Sequence, residues 1–396
     1  MKILLISDVY FPRVNGVSTS IRTFTEQLQK LGHTVHLIAP DYGVETTDEA
    51  WITRVPARKI YFDPEDYLMK YGAVLRLLPA LKNENFDVIH IHTPFIAHYV
   101  GLKLGQLLKI PVVETYHTFF EDYLHHYLPW IPKFAARGMA RLISKTQCNQ
   151  VDALVAPSQP MLNVLRTYGI NTQAEVIPTG LQAHSFARAD SAAFREKQGI
   201  AQTRSMLLYV GRVAFEKNID FLVRMTKLLT EEMPEVLLVI TGEGPAEHSL
   251  RAQVKTLGLE QNVQFIGYLD RNTELNACYK SADIFVFASK SETQGLVLLE
   301  SMAQATPVVA IAELGTSSIL VEGQGAMIAT EDEAAFAQIV HGLLINPVHR
   351  QFLGERGKEY AHSKWSAAKQ AERMVAFYTA MIATKPVIGL SVKYTN

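Results

Sequence analysis

Two cysteines, Cys148 and Cys278, are all that 396 residues contain, and they lie far apart in the chain. No disulfide framework and no zinc-ligand spacing follow from them, and a reducing compartment is the simplest setting. Charge is scarce as well. Asp, Glu, Lys and Arg make up 19% of the residues, below the usual ~25%. The formal net charge of −1 removes any global pull toward nucleic acid. The deficit points to extra apolar surface, in an interdomain cleft or on a membrane-facing patch. No stretch reaches the ~20 apolar residues that span a bilayer. The apolar start Ile3-Leu4-Leu5-Ile6 stops at Ser7-Asp8, too short for a secretory signal core, and reads as a buried first strand. A G-x-G-x-x-G fingerprint is missing, which disfavours a dinucleotide cofactor and hydride transfer. No Asp-x-Asp metal motif occurs, so no cofactor or metal is expected.

What the chain does have is hydrophobic residues, at 48%. Its length suits two domains rather than one. Strand and helix patterns alternate throughout, which predicts α/β architecture with doubly wound parallel sheets. The first half reads as strands at Ile3–Ser7, Thr34–Ala39, Val88–His92, Val112–Thr115 and Ala153–Ala156, with a less regular region over 41–85. The second half, after Pro178-Thr179-Gly180, has strands near Leu207, Leu238, Val263, Ile284, Val308 and Met327. The expected units are 1–184, 185–365, and a terminal segment 366–396 holding one more helix.

The most informative run is Ser291-Glu292-Thr293-Gln294-Gly295-Leu296, followed by Glu300 in the helix it opens. It follows the apolar strand 283–288. Such a turn offers free backbone N–H groups and a positive dipole end, which suits phosphate. A carboxylate beside it suits hydroxyl groups, which donate to an ionised acid. Phosphate and hydroxyls together describe a nucleotide sugar. A second strand end carries Gly211-Arg212, then Lys217. A planar fork of donors and a point charge fit a diphosphate, although ordinary surface cations look the same locally. Gly16, just before the first helix, allows close approach of a phosphate, or belongs to a simple cap made by Asn15 or Ser18. His117 follows a strand's carboxyl end, where open α/β sheets bind ligands. Glu121 and Asp122 suit an acceptor hydroxyl or a solvated helix start equally well. His90 and His92 alternate along a strand and read as packing residues.

Gly-Arg followed by Lys, then Glu-x7-Glu, resembles the retaining family-4 glycosyltransferases. The resemblance covers nearly the whole chain. It implies a GT-B fold: two Rossmann-like domains facing across a cleft, with the last helix crossing back onto the first domain. It implies that Gly16 and Gly211 lie against the donor diphosphate, and that Arg212 and Lys217 neutralise it as it leaves. Glu292, with Thr293, Gly295 and Leu296 beside it, would hold the donor sugar, Glu300 the ribose, and His117 the sugar or the developing charge. Gly242 and Gly244 would line the donor site, and Tyr268 would read the base edge. Metal-independent chemistry and a nucleotide-sugar substrate are implied.

No acidic residue occurs from Tyr123 to Val151, a stretch holding Trp130, Lys133, Arg137, Arg141 and Lys145. Spacing of four sets the cations along one helical face. Phe134, Met139, Leu142 and Ile143 lie among them. A basic helix with aromatic residues at one end suits an anionic membrane surface; a solvated face of a core helix is the alternative. The runs 115–127 and 289–296 and Asn15-Gly16-Val17-Ser18 resemble bacterial diacylglycerol glucosyltransferases, which use UDP-glucose at the inner face of the cytoplasmic membrane. That resemblance implies a lipid acceptor and a peripheral enzyme. Other readings are a GDP-mannose-dependent phosphatidylinositol mannosyltransferase, a polysaccharide-precursor glycosyltransferase, a UDP-sugar epimerase, or a non-catalytic binding module.

Overall fold

The computed structural model describes residues 1–44, 49–60, 63–117, 119, 132–271 and 273–384. Among them two sheets form. The first has the order β4-β3-β2-β1-β5-β6-β7-β8, built from β1 (Lys2–Ile6), β2 (Thr34–Asp41), β3 (Ile52–Ile60), β4 (Asp63–Met69), β5 (Val88–Ile91), β6 (Val112–Thr115), β7 (Ala153–Ala156) and β8 (Ala174–Val176). The second has the order β11-β10-β9-β12-β13-β14, from β9 (Met206–Val210), β10 (Leu237–Thr241), β11 (Val263–Gly267), β12 (Ile284–Phe287), β13 (Val308–Ile311) and β14 (Ala326–Ala329). Every pairing is parallel except β3 with β4. The strand order reverses between β1 and β5 and again between β9 and β12. Crevices for ligands open at such switch points, at the carboxyl ends of the strands.

Near-continuous apolar strands follow from burial on both faces. In β1, Ile3 and Leu5 pack with Ile21, Phe24 and Leu28 of the helix Gly16–Lys30. Leu4 and Ile6 point the other way, onto Ala97, Val100 and Leu104 of the helix Ile96–Leu108. The second sheet and its helices share one core. The helix Ala367–Thr384 leaves that core and buries Met374, Phe377, Tyr378 and Met381 against the first sheet. The crossing helix expected from sequence is therefore present.

The chain passes between the halves twice, and the two passages run side by side. Leu181 N–H donates to Trp365 O at 2.7 Å, and Ala367 N–H donates to Leu181 O at 2.9 Å. Gly180 permits this approach, because a Cβ there would lie 2.6 Å from the Ala367 backbone. The region read as irregular contains the hairpin β3–β4. Pro56 and the charged Arg54, Arg58 and Lys59 hide its periodicity, and Pro within a run argues against a strand. The three-residue β8 was not expected either.

Candidate active site

The turn after β9 sits on the turn after β10. Gly211 N–H donates to Thr241 O at 3.0 Å, Val213 N–H to Glu243 O at 2.9 Å, and Gly242 N–H to Gly267 O at 2.8 Å. A Cβ on Gly242 would lie 2.0 Å from Gly211 O, and one on Gly244 would lie 2.4 Å from Val213 O. Glycine at these positions lets three strand ends lace together. On this floor stand the expected cations. Lys217 Nζ is 2.5 Å from Glu292 Oε1. The same oxygen accepts from Ser289 Oγ at 2.8 Å. Arg212 pairs with Glu216. Burial raises the Glu216 carboxyl, but Arg212 and then Lys217 hold it, on balance, below its ordinary value. The two cations read as diphosphate binders are thus already matched by carboxylates.

Glu292 is held by its backbone too. Its carbonyl accepts from Gly315 N–H at 2.8 Å. Gly295 takes a left-handed conformation (φ 98°) and caps the helix Leu296–Ala303. Glu300 lies in that helix and is buried rather than solvent-facing. Its Oε2 accepts from Tyr279 OH at 2.8 Å, and its carboxylate pairs with Arg271. The charge of Glu300 raises the Arg271 pKa. Neither Arg271 nor Tyr279 was expected from sequence. Leu296, Glu300, Tyr268 and Arg271 line one cleft of 320 Å³ whose far wall includes Thr19, Arg22 and Thr23 of the helix that Gly16 opens. Asn15 caps that helix, accepting from Ser18 N–H at 2.9 Å. The cap reading therefore holds locally, and a Cβ at Gly16 would meet no protein atom within 4 Å.

The two halves meet at Thr293 and Gln294. Thr293 Oγ1 donates to His117 O at 3.0 Å, and Ser158 Oγ donates to Thr293 O at 2.8 Å. The Gln294 amide clamps Thr179, accepting from its N–H at 2.9 Å and donating to its carbonyl at 2.7 Å. His117 is thereby held beside the Glu292 turn. Its Nε2 lies 3.0 Å from His92 Nδ1. Burial lowers the His117 pKa to about 4, so its ring is neutral near pH 7. His90 and His92 are buried as expected, but they lead directly to His117.

The helix Lys133–Cys148 buries Ala136, Ala140, Ser144 and Cys148. Arg137, Arg141 and Lys145 are exposed. So are Phe134 (80%), Leu142 (65%), Ile143 and Met139. Its outer surface is thus cationic and apolar together. Arg141 lies over the Tyr168 ring at 5.5 Å. The positions Glu121, Asp122 and Trp130, and the side chain of Lys133, lie outside the described residues. Among those described, no cluster of three or more His, Cys, Asp or Glu is placed to hold a metal ion, and no helix is long and apolar enough to cross a membrane.

Residues 14–185 match the family described as Glycosyltransferase Family 4, and residues 190–360 match Glycosyl transferases group 1. The chain is 34% identical to an alpha-monoglucosyldiacylglycerol synthase of Streptococcus pneumoniae, over 96% of this chain and 85% of that protein. It is 26% identical to the alpha-monoglucosyldiacylglycerol synthase of Acholeplasma laidlawii, over 86% of this chain and 88% of that one. Among solved structures, Anabaena HepE in complex with UDP-glucose superposes with a TM-score of 0.76 at 15% identity, covering 96% of this chain and 100% of HepE. The sheet order, the crossing helix and these matches agree: the chain belongs to the family-4 glycosyltransferases of the GT-B fold.

Proposed function

We propose that this glycosyltransferase moves glucose from UDP-glucose to a diacylglycerol-type lipid, with retained configuration and without a metal ion. The observation that carries the reading is the seam itself. The Lys217–Glu292 pair and the His117 turn meet there through Thr293, while the same N-terminal half presents a cationic, apolar helix. The relatives named as alpha-monoglucosyldiacylglycerol synthases support glucose and diacylglycerol in particular. Membrane association would be peripheral, at the inner face of the cytoplasmic membrane, through Lys133, Arg137, Arg141 and Lys145 and their apolar neighbours.

In this mechanism the bond from the sugar's anomeric carbon to the diphosphate oxygen breaks, and a bond to the lipid hydroxyl forms on the same face. The hydroxyl proton passes to the departing phosphate oxygen. Arg212 and Lys217 stabilise the charge that develops on the leaving group, and as preorganised donors they lower the barrier without reorganising. Glu292 accepts from sugar hydroxyls, Glu300 accepts from the ribose, and Tyr268 borders the base. His117, neutral, contacts the sugar without adding a full positive charge beside the reacting carbon.

The test is transfer of labelled sugar from UDP-glucose or GDP-mannose into vesicles containing diacylglycerol, followed by chloroform extraction. Label enters the organic phase from UDP-glucose, the product carries an α linkage, and chelators leave the rate unchanged. Donor consumed by slow hydrolysis alone would end the lipid reading in favour of a soluble saccharide acceptor. Sugar isomerised without any acceptor would point to an epimerase instead.

A further inference from the structure

His90 and His92 have no part in the mechanism above, yet they form a buried array that ends on His117. His90 lies on β5 and His92 follows two residues on, just past the strand's end, and their rings lie side by side. Their rings are 4.2 Å apart. The crossing helix sets the first: Tyr378 OH lies 2.5 Å from His90 Nδ1, and Thr115 Oγ1 lies 2.7 Å from its Nε2. Both partners are hydroxyls, which give or take a proton, so they leave the His90 tautomer open.

His92 is different. Its Nδ1 is 3.0 Å from His117 Nε2, and the two rings stack at 5.3 Å. Its Nε2 is buried and has no hydrogen-bond partner among the described residues. A neutral imidazole carries one N–H. With the proton on Nε2, His92 would bury an orphaned donor. With the proton on Nδ1, the orphan is an acceptor lone pair. Orphaned buried N–H groups are the rarer and costlier case.

We propose that His92 is a positioning residue: its Nδ1–H donates to Nε2 of His117, which fixes His117 as the Nδ1–H tautomer and makes that nitrogen a hydrogen-bond donor for the sugar. The proposal rests on the reading of His117 as a sugar contact. Burial keeps the array neutral, lowering His90 to about 3 and His92 well below its ordinary value. A neutral donor binds a hydroxyl oxygen without setting a full charge beside a carbon that becomes cationic as the diphosphate leaves.

The experiment is ring-nitrogen NMR of the full chain labelled at histidine, together with transfer kinetics. His117 and His92 are assigned through His117→Asn and His92→Leu. In the unsubstituted protein, His117 should carry its proton on Nδ1. His92→Leu should lose that pattern and lower kcat about 10- to 100-fold, while KM for the donor moves less than about threefold. His92→Asn, whose amide N–H can replace Nδ1–H, should recover most of the loss. A proton on Nε2 of His117, wild-type kcat in His92→Leu, or equal damage from Leu and Asn would each overturn the proposal. His117→Ala separates the two claims. Wild-type transfer by that variant would remove the sugar-contact reading and with it the positioning role of His92 in transfer, whatever the nitrogen spectrum shows of the tautomer.

Discussion

On the C-terminal side of the seam, cations stand against carboxylates: Lys217 at Glu292, Arg212 at Glu216, Arg271 at Glu300. On the N-terminal side, the imidazoles of His92 and His117, kept neutral by burial, lie beside the Glu292 turn, while Arg22 stands farther off on the cleft wall. The carboxylate–cation side, which in the proposed reaction receives a diphosphate and hydroxyls, has its charges preset and paired. A ligand there trades one partner for another and leaves no ion bare in a low-dielectric site. In the proposed reaction, the histidine side borders an uncharged hydroxyl and a carbon that turns cationic, where neutral rings add no opposing charge. The division does not extend to the outer surface: the N-terminal half leaves Phe134 and Leu142 in solvent among cations, and the C-terminal half does the same with Val348 and Phe352 on the helix Pro347–Lys364.

Removing charge from the C-terminal side should have the largest effect. Lys217→Ala leaves Glu292 without its cation and the leaving diphosphate without a donor. Loss of one such preorganised group costs about 10²- to 10³-fold in kcat. Glu292→Gln should do comparable harm, because the amide keeps the shape but loses the charge. Transfer rates at saturating donor measure both, and wild-type turnover in either variant would break the assignment of roles. Next in size is the outer helix. Replacing Lys133, Arg137, Arg141 and Lys145 together with Gln removes about 1 kcal/mol of surface attraction per cation. Vesicle sedimentation should then show binding to anionic lipid at least ~10-fold weaker, with UDP affinity in solution unchanged. Equal binding would return that helix to an ordinary solvated face. Glu300→Gln should act more mildly, raising donor KM about 10-fold, as expected for a hydrogen bond to a charged acceptor. It should also lower the melting temperature, because the half-buried Arg271 is left beside an amide.

These contrasts also mark what could be read from the chain. Arg212, Lys217 and Glu292 were visible because each lies in the segment joining a strand to the next helix, where local pattern predicts a ligand-facing turn, and Glu300 because it lies in the helix that the Glu292 turn opens. The long-range contacts that hold the site together were not. Arg271 is 29 residues from Glu300, Gln294 is 115 from Thr179, and Tyr378 is 288 from His90. Only the closure of the sheets and the crossing helix brings them together. His90 and His92 gave a correct local signal, alternation at a buried strand and its end, but nothing in that signal shows that β5 neighbours β6, the strand before His117. The hairpin β3–β4 failed for the opposite reason: its pairing is real, while Pro56 and three cations erase the pattern.

The smallest effect expected is on stability, and it sharpens the comparison most directly. His117 titrates at about 4 and His90 at about 3 in the folded chain, against ~6.5 when unfolded. Between those values the unfolded state binds more protons, so stability rises with pH and is lost on acidification. The melting temperature should therefore fall by several degrees as the pH drops from 7 toward 4. The Arg212–Glu216 pair adds little in the upper part of that window, since Glu216 is held below its ordinary value and stays ionised there. His90→Gln can keep polar contacts to Tyr378 and Thr115 without a titrating ring, and it should flatten the curve between pH 6.5 and 4. Calorimetry across that range decides the matter. An unchanged slope would mean that the neutral histidines are not the acid-sensitive part of the fold, and the charge division between the two halves would then have no consequence for stability.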